Sequence, residues 1–276
     1  MTALLKSELF KLRKQGKTWY ALGAVLLIEL IILLSAYLQG GTILELLLEN
    51  LRQSFYFKGN LLNGNLLLYL VLNSLWFNVP LILMIVTSAI VTEEYRNGTL
   101  QATLLQAVKR PQLIMAKYIA ALIFTLLVIV IMMLGTFTAA YAIFGNGDLI
   151  VYLNTLNFFK ADDAFKRICF AFVSGTLSMF FFSTVSVTLG IILKESAKTW
   201  IASAFFLILC SLLLKVDFGM GEYGRLFFPK LINSWQHFFH YELNWSHIVM
   251  DNLLLMIYTF MFGGLGYYIF NKNDIL

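Results

Sequence analysis

Charge is scarce in this sequence. Only 13% of its 276 residues are Asp, Glu, Lys or Arg, and 60% are hydrophobic. Soluble domains carry about 25% charged residues, so a soluble globular class is excluded before any segment is read. Cysteine is nearly absent. Cys169 and Cys210 each lie within an apolar run, which argues against a disulfide framework and for two small buried hydrophobes. The phosphate loop Gly-x-x-x-x-Gly-Lys-Ser/Thr is missing, so the chain is not expected to bind and hydrolyse ATP in that way. The first residues lack a short apolar stretch with a small-residue cleavage site, so no signal peptide is expected. No Ser-His-Asp or Cys-His grouping falls on one face, and hydrolase chemistry lacks its parts. Neither a linker nor a convincing internal repeat is visible. The expectation is one transmembrane domain over 1–276, without a cofactor and without a nucleic-acid partner.

What the chain has in abundance is long apolar runs. A helix needs about 20 apolar residues to cross the hydrocarbon core. Six runs meet that criterion, at 18–38, 68–92, 112–143, 166–193, 198–214 and 248–270. The expected fold class is an all-α integral membrane protein with six transmembrane helices. An even number of spans puts both termini on one side, and the basic residues indicate which. The side of the termini holds twelve Lys and Arg, the other eight. Both termini are therefore expected in the cytoplasm, with the chain multi-pass in the cell membrane and in contact with lipid.

Residues 3–17 read as an interfacial helix on the cytoplasmic surface. Leu4, Leu5, Leu9 and Leu12 share one face. Lys6, Lys11, Arg13 and Lys14 lie mostly off it, toward anionic headgroups. On the far side, 43–49 carries an acidic-apolar helix signal. The stretch 215–247 is rich in Phe, Trp and Tyr, which suit a membrane–water boundary, with a re-entrant or interfacial helical turn.

The polar segment 92–117 lies between the second and third spans. It opens on Glu93, Glu94 and Arg96 and closes on Lys109-Arg110-Pro111. Gly98 suits a backbone conformation other residues resist, and Thr99 is placed to cap a following helix. Leu100, Thr103, Leu104 and Ala107 recur at helical spacing. Pro111 suits the first turn of the next helix.

Six spans, a basic N-terminal helix and this Glu94…Gly98-Thr99…Lys109-Arg110-Pro111…Lys117 pattern resemble the permease subunit of a type-2 ABC exporter. The ending at 270–275, Phe-Asn-Lys-Asn-Asp-Ile, is similar too. The resemblance implies that the segment is a cytoplasmic coupling helix, with Glu93, Glu94, Arg96, Gly98, Thr99, Leu100, Leu104 and Arg110 meeting an ATP-binding subunit. It also implies ATP and Mg on that partner rather than here, a second permease subunit, identical or homologous, and export of a hydrophobic or amphipathic substrate such as a peptide, a lipid-like molecule or a drug. The competing readings are a multi-pass membrane enzyme and a non-transport scaffold or sensor. An ordinary amphipathic loop is the plain alternative for the segment itself.

Other residues stand out. Glu29 sits roughly 16 Å into the first span at 1.5 Å per residue, near mid-membrane, where a carboxylate must face protein or water. It reads either as a point on the transport pathway or as a hydrogen-bonded structural group. Asn73, Asn78 and Pro80 mark the second span, and Pro80 is expected to kink it. His237, His240 and His247 fall within eleven residues. Their place among interfacial aromatics favours a belt over a metal site. Asp162, Asp163, Lys166 and Arg167 read as a solvated helix start.

Overall fold

The computed structural model describes residues 1–52, 61–106, 108–153, 155–214 and 227–272, with 41–52 as backbone only. Ala107, part of the aromatic stretch and the C-terminal tail fall outside the described residues. Among the described residues, six helices are long and apolar enough to cross a membrane, and the chain is a multi-pass, essentially all-α membrane protein. The first element is α1, Thr2–Lys14. Next is α2, Gly16–Arg52, which changes direction at Gln39, whose φ of −128° and ψ of 24° leave the helical region. Its apolar part, Gly16–Gly40, is the first candidate span. Then come α3, Gly64–Arg96, the short α4, Thr99–Leu104, and α5, Arg110–Phe144. A hairpin of β1, Leu149–Leu153, and β2, Thr155–Phe159, leads to α6, Ala161–Leu193. The chain ends with α7, Ser196–Leu213, α8, Phe228–Ile232, a 3-10 turn at Ser234–Phe239, and α9, Trp245–Lys272.

The centre of the bundle is the pair α3 and α6. They make the most extensive interhelical contact, and 72% and 67% of their apolar windows are buried, against 17–28% for α2, α7 and α9. Inside lipid the association of helices rests on close backbone approach and on interhelical hydrogen bonds. Both devices are present. Gly175 of α6 makes room for Trp76 of α3, because a Cβ there would fall 1.8 Å from the indole. Ser186 donates to the Met84 carbonyl, Thr125 and Ser183 hydroxyls meet at 2.6 Å, and the Tyr118 and Thr188 hydroxyls at 2.8 Å. Gly266 of α9 seats over that last pair. The seam is therefore lined with hydroxyls that satisfy one another or a neighbouring carbonyl.

Within this all-α frame a two-stranded antiparallel hairpin joins α5 to α6, with Leu149, Val151, Asn157 and Phe159 on its buried face. Helix α3 continues through Pro80, and α2 leaves helical geometry at Gln39. Two expectations change. The aromatic stretch turns inward: Trp235, Phe238 and Phe239 are buried, while Tyr241 and Trp245 remain exposed. The charged start of α6 is not wholly solvated. Arg167 is buried and donates to the carbonyls of Phe238, His240 and Tyr241 while pairing with Asp163. One guanidinium, with five donors in a fixed fork, thereby holds the aromatic turn against α6.

Candidate functional site

At the end of the bundle that carries α1 and α4, four charged side chains from three helices converge. Lys117, at the start of α5, is fully buried. Its Nζ lies 2.7 Å from Glu94 Oε2 and 3.1 Å from Glu8 Oε2, and it donates to the Ile90 carbonyl at 3.1 Å. Lys11 Nζ reaches Glu8 Oε1 and Glu94 Oε1, each at 2.7 Å. Two ammonium groups and two carboxylates thus neutralise one another. Buried charges persist only in such paired, hydrogen-bonded sets. Around the cluster, Gln15 donates to Glu93 at 2.9 Å and Lys17 pairs with Glu93. Burial alone pulls the Lys11 ammonium down, but its hydrogen bonds and attraction to Glu8 and Glu94 outweigh that and raise it above 10.5.

The local sequence accounts for this arrangement. Helix α1 buries Glu8 and Leu12, four apart and hence on one face. Asn97 ends α3, and Gly98 follows with φ +67°, a left-handed turn that suits glycine. Helix α4 begins at once, with Pro111 placed one residue into α5. Thr99 does not cap α4. Gly98 occupies the cap position and no side chain caps the turn, while the Thr99 carbonyl accepts from Thr103. The face of α4 is also turned differently from expectation. Leu100 is 1% exposed and Leu104 packs against the core, whereas Leu105 stands 89% exposed. The inward residues follow from the tight Gly98 turn, which folds the first turn of α4 back beneath α3. A cavity of about 450 Å³ opens beside it, lined among others by Glu8, Lys11, Gln15, Glu93, Glu94 and Thr103.

Of the coupling residues expected from the sequence, Glu93, Glu94, Gly98, Thr99, Leu100 and Leu104 gather around this junction, and Arg96 and Arg110 lie at the facing ends of α3 and α5. Glu8 and Lys11 were not expected there, and Lys117, the last residue of the sequence pattern, was not expected to be buried against them. The face of Lys11 was assigned to headgroups, and the structure turns it inward to Glu94 instead.

Glu29 lies elsewhere. It is 3% exposed, accepts from Thr136 at 2.6 Å, and rests on Gly135, where a Cβ would come within 3.1 Å of Oε2. It bridges α2 and α5. Asn73 and Pro80 line a separate cavity of about 190 Å³ between α3, α6, α7 and the turn after α8. Asn78 is exposed and donates to its own helix at Ser74. The structure does not bring Glu29 together with Asn73, Asn78 and Pro80.

His237 and His240 stack at 5.7 Å, and His237 Nε2 lies 3.5 Å from Asp251. Burial lowers the His237 pKa, Asp251 opposes that, and His240 and His247 add to it. Among the described residues no group of three His, Cys, Asp or Glu is placed to hold a metal ion.

A family described as protein of unknown function (DUF2705) matches residues 43–276. Comparison with curated proteins gives no match. The matched region spans well over half of the chain and takes in α3 to α9, the hairpin and the buried hydroxyl seam. On that match, this multi-pass membrane protein belongs to the DUF2705 family.

Proposed function

We propose that the chain is the membrane-spanning permease subunit of an ATP-driven exporter, working with a separate ATP-binding subunit and a second permease subunit. The observation that carries this reading is the placement of α4. It is a short helix hung on a left-handed glycine, with Leu105 standing out from the body. Just behind it, a balanced ion cluster ties α1, α3 and α5 into one unit. A push on α4 has a direct route into three helices through Glu94 and Lys117. On this reading α4 is the coupling helix and lies in the cytoplasm, as do both termini. The excess of basic residues at that end supports the orientation. Substrates would be hydrophobic or amphipathic, and export is their direction.

The test starts with the neighbouring reading frames, one of which should encode a phosphate-loop ATPase, and co-expresses its product with this chain. Tagged chain should recover the ATPase, and the reconstituted complex should turn over ATP in a way that depends on the permease. Cysteines at Gln101 and Tyr152 should differ in reaction with an impermeant thiol reagent in whole cells, with only Tyr152→Cys labelled. No recovery and no permease-dependent turnover would return α4 to the status of a loop.

A further inference from the structure

Helix α1 turns its two faces to different surroundings. Its leucine face is spent on the protein itself: Leu12 is buried, and Leu5 and Leu9 pack against the core. The outward face carries Lys6, Phe10, Arg13 and Lys14, at i, i+4, i+7 and i+8, and all four are exposed. Across the joint with α2, Trp19 Nε1 donates to the Arg13 carbonyl at 2.9 Å, which fixes the indole beside that face. Phe10 and Trp19 are each 60% exposed, and Tyr20, next along, 79%. The acids nearby are already taken. Glu8, the one carboxylate of α1, is committed to Lys11 and Lys117, and Glu93 and Glu94 to Lys11, Lys17 and Lys117. Among the described residues Lys6, Arg13 and Lys14 have no carboxylate partner, and Lys14 lies over the Phe10 ring instead, 5.7 Å from its centroid. Three unneutralised cations thus stand beside exposed aromatic rings.

We propose that the outward face of α1, together with Trp19, binds the headgroup of an anionic phospholipid, with its phosphate against Arg13, Lys6 and Lys14 and its glycerol and first acyl carbons against Phe10 and Trp19. The charges are complementary, and a guanidinium matches a phosphate with two parallel donors. Sequence spacing alone sends Lys11 to the headgroups as well. The structure removes Lys11 to the ion cluster and supplies Phe10 and Trp19 in its stead. A solvated basic face has no use for exposed rings, whereas rings beside lysines suit the boundary between headgroups and acyl chains. The position agrees, because Trp19 lies at the start of the candidate span Gly16–Gly40. An acidic protein surface would meet the same cations, but the rings at the mouth of a span favour lipid. Occupancy has a mechanical consequence. The opposite face of α1 holds Glu8 and Lys11 in the cluster with Glu94 and Lys117, so a bound lipid steadies α1 against α3 and α5. Lipid binding needs no ATPase, so its failure leaves the coupling test untouched.

The experiment uses the full chain in phosphatidylcholine nanodiscs. Brominated phosphatidylglycerol or brominated phosphatidylcholine is introduced in rising fraction, and the Trp19 signal is taken as the difference between the parent and Trp19→Phe. Phosphatidylglycerol should quench Trp19 at about a tenfold lower fraction than phosphatidylcholine, and about 0.5 M salt should erase most of that preference. Lys6→Gln, Arg13→Gln and Lys14→Gln change exposed side chains without an ion-pair partner and should leave the fold intact. Each should cut the preference about two- to threefold, within the roughly fivefold that one surface cation supplies, and the triple variant should abolish it. Lys109→Gln, on an exposed lysine outside α1, should leave it unchanged. Equal quenching by the two lipids, an undiminished preference in the triple variant, or an equal loss in Lys109→Gln would overturn the proposal. An undiminished lipid preference joined to lost ATPase recovery in the triple variant would give this face to an acidic protein instead.

Discussion

Lys117 and Glu94 meet at 2.7 Å where α3 ends and α5 begins, and Lys117 has no exposed surface at all. Glu8 and Lys11 complete the charge balance from α1. The pair therefore closes the gap between two spans with a contact that cannot slide without exposing a charge. Removing one member of a buried pair costs about 3–5 kcal/mol, because its partner is left uncompensated. Lys117→Met should accordingly lower the thermal midpoint in detergent sharply. Adding Glu94→Gln should recover a good part of the loss by restoring neutrality. Equal midpoints for the single and double variants would mean that the cluster is not coupled.

The exposures on α4 separate docking from folding. Leu105→Asp changes a side chain that is 89% exposed. It should leave the midpoint within about 0.5 kcal/mol of the parent while weakening recovery of the ATPase or uncoupling its turnover. Leu100→Asp places an unpaired carboxylate in the core and should destabilise the chain itself. Pull-down and melting curves on both variants give the comparison, and wild-type recovery by Leu105→Asp would count against docking through α4.

Gly175→Ala tests the central helix pair. A methyl group there would overlap the Trp76 ring, at 1.8 Å from one carbon and 2.0 Å from another. Overpacking of this kind costs about 1–3 kcal/mol. The loss should appear in the melting midpoint together with a shift in Trp76 emission. A neutral substitution would place Trp76 elsewhere.

Glu29 makes a single polar bridge between α2 and α5 through Thr136. Glu29→Gln keeps an acceptor for that hydroxyl and should stay within about 1 kcal/mol of the parent. Gly135→Val should cost more, since its side chain would displace the carboxyl from its seat. Melting of the two variants, with transport measured in parallel, tells a bridge from a pathway residue. Altered transport by a stable Glu29→Gln would assign it to the pathway.

His237 makes stability depend on pH in a defined direction. Its folded pKa is depressed below 6.5, chiefly by burial. The unfolded chain therefore takes up the proton first. The contribution is whole above pH 6.5 and is lost as pH falls through the folded value. The midpoint should drop between about pH 7.5 and pH 5, and His237→Gln should flatten that slope. An unchanged slope in the variant would assign the effect to other groups.

The six apolar helices were legible because apolar length alone marks them, and their ends fall within a few residues of the apolar runs read from the sequence. Other features could not be read that way. Lys117 was legible as the end of the polar pattern, but not as a buried ion-pair partner. Its burial depends on Glu8, 109 positions earlier, and no local pattern connects them. Leu100, Leu104 and Leu105 are alike in sequence, and only the turn at Gly98 decides which one faces outward. The hairpin at 149–159 did carry a signal, the alternation that buries Leu149 and Val151, but it was hidden between much longer apolar runs. Arg167 was read from its charged neighbours at the start of α6. The carbonyls that bury it lie more than seventy positions away.

The hydroxyl seam between α3, α5 and α6 also sets a schedule for biosynthesis. A chain emerges N-terminus first, so Tyr118 and Thr188 are in the bilayer before α9 exists. Yet the lid over them is Gly266, and the Phe262 carbonyl that accepts from Thr188 belongs to the same late helix. Until the last span leaves the ribosome, that polar pair is open to lipid on one side. The last span to be made is therefore the one that completes the cover over a polar pair contributed by two earlier ones.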